Sequence, residues 1–118
     1  MEKQIQVQVE LTITPGKVEE LRSQMLTIIE NVKANEPDIT GYQWYLNEDQ
    51  SKCYIMEWFN NPQAWLTHLS NAQPVLPALF AVAPITRFEA FGDIPEEVAA
   101  AVKPLGAVIH KYLSGFIR

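Results

Sequence analysis

The run CYIMEWFNNPQAWLTHL, from Cys53 to Leu69, brings Tyr54, Trp58, Phe59 and Trp65 together with Glu57 and with His68, one of two histidines in the chain. An imidazole among ring faces is what a site needs to hold a flat molecule and to move a proton. On a helix turning about 100° per residue, Trp65, Leu69 and Ala72 share a face, and His68 lies about 60° from Trp65 at the border of that face. On the strand-like run before it, Tyr54, Met56 and Trp58 alternate against Ile55, Glu57 and Phe59. With Tyr42, Trp44 and Leu46 joining the first set, rings from two strands are expected to wall a cavity beneath the helices, with the imidazole at its edge. A plain bulky core is the competing reading, and His110 is expected to be structural or at the surface.

Other chemistries find little support. The histidines show no metal-ligand spacing with carboxylates or with Cys53, and there is no Gly-rich phosphate loop, nucleophile elbow or CxxC pair. A formal charge of −5 argues against nucleic acid as a partner, because such affinity rests on Lys and Arg neutralising phosphates. Cys53 is the single cysteine, so no intrachain disulfide can form and a cytoplasmic location is the simplest expectation. The opening MEKQIQVQVELTI alternates polar and apolar residues, unlike a secretory signal. The most apolar window, Val75 to Ile85, is too short to span a bilayer and contains Pro77 and Pro84, so no membrane association is expected.

The elements that must position these residues follow from periodicity. Ile5, Val7, Val9, Leu11 and Ile13 alternate with Gln4, Gln6, Gln8, Glu10 and Thr12, the pattern of a half-buried strand. After TPGK, with Thr14 as an N-cap candidate, the positions Val18, Leu21, Met25, Ile28, Ile29 and Val32 trace one helical face that ends before Pro37. GYQWYLNED and SKCYIMEWF form a predicted hairpin about Asn47 to Ser51. Asn61 and Pro62 open the helix that carries His68. Pro74 and Pro77 break it before a second short helix from about Val75 to Val82, and ITRFEAFG is a further strand. The order βαββαβ predicts a ferredoxin-like α+β fold: an antiparallel sheet with its helices on one face.

Tyr45, Cys53, Ile55, Phe59, Phe88 and Ala90 are expected on the uncovered face, which a second copy could cover by a two-fold contact. Residues 1–92 complete this unit. Residues 93–118 are expected to add a short helix, with Asp93 and Glu96 at capping-box spacing, and a last strand of the same domain.

The order of elements and the phrase YIMEWFNNPQAWLTHL resemble the antibiotic biosynthesis monooxygenase family, whose signature couples a strand ending in Glu and an aromatic to a helix bearing His and an apolar residue, here Glu57, Trp58, His68 and Leu69. PGKVEELRSQM is similar to that family's start, and the likeness spans about Gln4 to Gly92. The resemblance implies a homodimeric α+β barrel. It also implies oxygenation of a small aromatic quinol or anthrone without metal, flavin or haem. In that scheme His68 is the general base or proton shuttle, titrating near ~6.5. Tyr42, Trp44, Trp58 and Trp65 form stacking walls, and Arg87, on an outward strand face, either steadies an oxyanion or pairs in a salt bridge. Glu57 is expected to be structural, pairing across the dimer. Two alternatives keep the fold: a non-catalytic module for ligand binding or dimerisation, and a haem-degrading enzyme using the ten-residue separation of Trp58 and His68.

Overall fold

The computed structural model describes residues 4–118, and the first three residues of the opening alternation lie outside the described residues. Along the chain run β1 (Ile5–Thr12), α1 (Val18–Asn35), β2 (Ile39–Leu46), β3 (Lys52–Phe59), α2 (Pro62–Ala72), α3 (Leu76–Val82), β4 (Ile85–Phe91), α4 (Glu96–Val102) and β5 (Val108–His110). The sheet order is β2-β3-β1-β4-β5, with β1, β2, β3 and β4 joined antiparallel and β5 parallel to β4. This is the ferredoxin-like α+β fold with one strand added at the β4 edge.

The alternation of β1 puts Ile5, Val7 and Leu11 almost completely out of solvent beneath the helices, where Cys53, Ile55 and Phe59 of β3 and Ala90 of β4 join them. Helix α1 presents Leu21, Ile28 and Val32 to this layer. Burial of such side chains contributes roughly 1.5–3 kcal/mol each and holds the two layers together. Two buried clusters result. One gathers Leu11, Leu21, Ile28, Ile55 and Leu79, and the other Ile5, Val7, Phe59, Trp65, Val98 and Val102. The second is completed by α4, which therefore packs into the same core as the strands.

Thr14 makes a turn instead of capping α1: its carbonyl accepts the Lys17 N–H at 3.0 Å, and Gly16 takes a positive φ of 83° that a side chain would disfavour. Asn61 does cap α2, its Oδ1 accepting the Ala64 N–H at 2.9 Å, with Pro62 in the first turn. The Asp93–Glu96 capping box does not form, because Pro95 occupies the N-cap of α4. Beyond α4, a 3-10 turn (Lys103–Leu105) leads to β5, where the His110 ring stacks on Phe91 at 4.8 Å and its Nε2 meets Glu89 at 2.9 Å.

The hairpin register corrects the expected faces. Leu46 pairs with Cys53, Trp44 with Ile55 and Tyr42 with Glu57, so Tyr42, Trp44 and Leu46 share the helix-covered face with Glu57, not with Trp58. Asn47 fixes this register: its Oδ1 accepts the N–H groups of Ser51 and Lys52, and its own N–H reaches the Lys52 carbonyl. A slip of one residue reverses every side chain of a strand, which is why the turn decides the faces. Cys53, Ile55, Phe59, Phe88 and Ala90, expected on the uncovered face, all stand on the covered one. The uncovered face carries Gln6, Gln8, Glu10, Tyr54, Met56, Trp58, Arg87 and Glu89. Among the described residues, no helix is long and apolar enough to cross a membrane.

Candidate active site

His68 lies on α2, whose inner face also buries Ala64, Trp65 and Ala72. Its ring is 5% exposed and is met by a carboxylate at each nitrogen. Nδ1 is 2.9 Å from Oε1 of Glu36, at the end of α1, and Nε2 is 3.4 Å from Oε2 of Glu57 on β3. Both glutamates are buried. The second oxygen of Glu36 accepts the Asn71 side-chain amide at 2.7 Å, and Asn71 in turn accepts from Asn31 of α1. Tyr42 and Phe59 stand against the imidazole at 5.3 and 5.6 Å between ring centroids.

Charge follows from this geometry. Burial alone would pull the imidazole's pKa down, but the hydrogen bond to Glu36, the Glu57 carboxylate beside Nε2 and the negative charges of both outweigh it and push the value up to about 10. His68 is therefore an imidazolium at neutral pH, with a proton on each nitrogen. The expectation of a ring titrating near ~6.5 is corrected: a protonated imidazole cannot accept a proton. Tyr42 is held neutral, its pKa raised first by burial and then by the charge of Glu57.

A cavity of about 150 Å³ opens beside the pair, where the two buried clusters meet. Glu57 and His68 form its polar end; Tyr42, Trp44, Trp65, Phe80 and Phe88 supply ring walls, and Leu69, Leu76 and Leu79 much of the rest. Trp65 meets Phe88 edge to face at 5.9 Å, and neither the Trp44 nor the Trp65 indole N–H has a hydrogen-bond partner among the described residues.

The fold thus gathers Tyr42, Trp44, Trp65 and His68 at one site and leaves two expected members outside it. Trp58 faces the opposite side of the sheet, packed over Gly41, where an added Cβ would come within 2.6 Å of its ring. Arg87 is exposed on that same side, paired with Glu89. The alternation of β3 separates Trp58 from His68, so the haem arrangement built on those two residues does not form, and both nitrogens of His68 are already engaged. Glu57, expected to be structural, stands in the cavity wall. Glu36 was not singled out from the sequence, although it sits four residues after Val32, where the apolar stripe of α1 would place another core residue. The two carboxylates lie at different nitrogens and do not converge on a common point; among the described residues no group of three or more His, Cys, Asp or Glu is placed to hold a metal ion.

The chain thus joins a ferredoxin-like α+β sheet to a buried imidazole, met by two carboxylates, beside an apolar cavity. The profile of the antibiotic biosynthesis monooxygenase family matches residues 5–74, and the chain belongs to that family. Among solved structures it is similar to MupZ from Pseudomonas fluorescens, with a TM-score of 0.88 at 20% identity, covering 98% of this chain and 95% of that one. That match takes in the α4–β5 extension. A candidate antibiotic biosynthesis monooxygenase from Caulobacter crescentus CB15 aligns with a TM-score of 0.70 at 20% identity over 80% of this chain and 92% of its own. A mutant of SnoaB, a cofactor-independent oxygenase from Streptomyces nogalater, aligns with a TM-score of 0.67 at 15% identity over 77% and 93%. At these identities the likeness establishes the fold. No curated protein matches the sequence significantly.

Proposed function

We propose that the protein is a cofactor-independent monooxygenase for a small, one-ring quinol. The observation that carries this reading is the Glu57–His68 pair at the polar end of the apolar cavity, and family membership supports it. Glu57 takes the phenolic proton, since His68 already holds its full complement. The imidazolium then offsets the negative charge left near it, in surroundings where water competes poorly. The resulting phenolate is electron-rich enough to reduce dioxygen. One oxygen atom enters the ring and the other leaves as water, so that quinol and dioxygen give hydroxyquinone and water.

Size favours one ring. An apolar cavity of roughly 150 Å³ is known to admit benzene, and the cavity here has about that volume. A three-ring anthrone exceeds it. Trp44 and Trp65 supply stacking faces.

The test is oxygen uptake by purified protein with methylated one-ring hydroquinones and with anthrone. Uptake above the spontaneous rate for the hydroquinones, with hydroxyquinone as product, and none for anthrone is the expected result. Tight binding of the quinols without uptake would replace this reading by that of a ligand-binding module.

The proposal includes a homodimer. Tyr45 is 48% exposed on the uncovered sheet face, in a shallow depression it shares with Tyr54, Met56 and Trp58. Beyond β5, Tyr112, Phe116 and Ile117 are exposed and share a hollow with Gln6 and Trp58 of that face. A second copy applied to this face would cover both surfaces. Sedimentation at micromolar concentration is expected to give twice the chain mass, and a monomer there would remove the proposal.

A further inference from the structure

We infer that the substrate ring carries a hydrocarbon chain and that Leu105, at the mouth of the cavity, selects for it. The inference rests on the proposed quinol reading and adds the part of the substrate that extends beyond the ring. Its basis is a gradient along the cavity wall. Glu57, Trp65 and His68 are almost completely out of solvent, and Leu76, Phe80 and Phe88 are half-buried. Leu105 lines the same cavity yet is 55% exposed, and among the described residues of the wall it is the one exposed member. The wall therefore reaches solvent at Leu105, while the charged pair lies at its sheltered end.

Polarity changes in the same direction. Glu57 and His68 are the charged members of the wall among the described residues, and from Leu69 to Leu105 every member is a hydrocarbon side chain. One ring takes up a cavity of roughly 150 Å³, so further carbon atoms have to leave by the mouth. A flexible chain can do so in single file, whereas a fused ring needs the full width of the first. At this rim a polar substituent would lose its hydration without gaining a partner, and a hydrocarbon one would leave water for carbon surface.

The chain holds Leu105 from both sides. Val102 and Ala107 are buried, and the Ala107 N–H donates to the Val102 carbonyl at 3.3 Å. Between them the 3-10 turn closes with the Gly106 N–H on the Lys103 carbonyl at 2.9 Å, and Gly106 takes a φ of 99° that ends the turn. Leu105 also lies outside residues 5–74, the span that matches the family profile, so the extension supplies this part of the mouth.

The experiment reads binding, separately from turnover. Oxidised one-ring quinones bearing methyl, propyl, pentyl or heptyl chains are titrated against wild type, Leu105→Ala, Leu105→Glu and Leu26→Glu, with quenching of tryptophan fluorescence as the signal. Leu26 is an exposed leucine of α1 outside the cavity wall, and its variant controls for chains adhering to the surface. In wild type, affinity should rise about tenfold or more from methyl to pentyl, as expected for partial burial of the added methylenes, and level off by heptyl. Leu105→Ala should cut the pentyl-to-methyl ratio by about threefold and Leu105→Glu by about tenfold, with Leu26→Glu at the wild-type ratio. An absent or flat dependence on chain length in wild type, an unchanged ratio in the Leu105 variants, or an equal fall in Leu26→Glu would overturn the assignment. Oxygen uptake by the matching quinols is followed in parallel: chain-length dependence in binding without uptake would remove the proposed reaction and leave the role of Leu105 standing.

Discussion

Replacing Glu57 by glutamine should lower kcat/KM for a one-ring quinol by roughly 10²–10⁴, the range lost with a positioned general base. The amide has the shape of the carboxylate and can still face His68 Nε2, so the cavity and the strand that builds it are preserved. What disappears is the only carboxylate among the described residues of the cavity wall: His68 is already protonated, and Tyr42 is a neutral phenol. Affinity for the quinone product, which has no proton to give, should change by less than about threefold. Steady-state oxygen uptake and product titration separate the two effects. Full activity in Glu57→Gln would remove the carboxylate from the mechanism.

The second large effect is on stability. His68→Ala should cost about 3–5 kcal/mol at pH 7, because it leaves two buried carboxylates facing each other without the cation between them. The pH dependence gives a sharper signature. In wild type the folded-state value of His68 is raised to about 10 by Glu36 and Glu57. A raised value means that the stabilisation is fully present below the unfolded value of ~6.5 and is lost as pH rises through the folded one. Wild type should therefore lose roughly 3–5 kcal/mol between pH ~6.5 and ~10. The alanine variant, lacking the group, should show no matching decline over that window. Urea midpoints measured across it in both proteins check the difference, and parallel curves would contradict the ion triad.

The order of elements was legible because β1 and α1 are strongly periodic: alternation from Ile5 to Ile13 and the three-and-four spacing from Val18 to Val32 leave little choice of structure. Asn61 and Pro62 marked the start of α2, so His68 was correctly placed near the junction of helix and sheet. The faces of the hairpin were not legible. Trp44 and Trp58 are equally apolar, and nothing in either run says which residue of β2 stands opposite Glu57; that depends on how Asn47 gathers the backbone of Ser51 and Lys52 in the turn. One residue of register moved Trp58 out of the site and brought Glu57 into it.

The role of the acids was hidden for a related reason. A glutamate within an apolar alternation, such as Glu57 between Ile55 and Phe59, or at the end of an apolar stripe, such as Glu36 after Val32, is a signal that a buried charge needs a partner. The partner could not be identified without the fold, because Glu36 and His68 are 32 residues apart and meet only when α1 and α2 pack side by side. Arg87 shows the converse. Its charge suggested either an oxyanion partner or a salt bridge, and the irregularity between Glu10 and Leu11 in the β1–β4 pairing leaves Ile85 lining the cavity and Arg87 on the far face, paired with Glu89.

The account depends on His68 being a buried imidazolium shared by two carboxylates, and ring-nitrogen NMR of the folded protein tests this directly. Across pH 6 to 9 both nitrogens should give protonated, imidazolium-type shifts with two slowly exchanging N–H signals, and no titration until the pH approaches 10. A ring with one protonated nitrogen at pH 8, titrating near the ordinary histidine value, would contradict it.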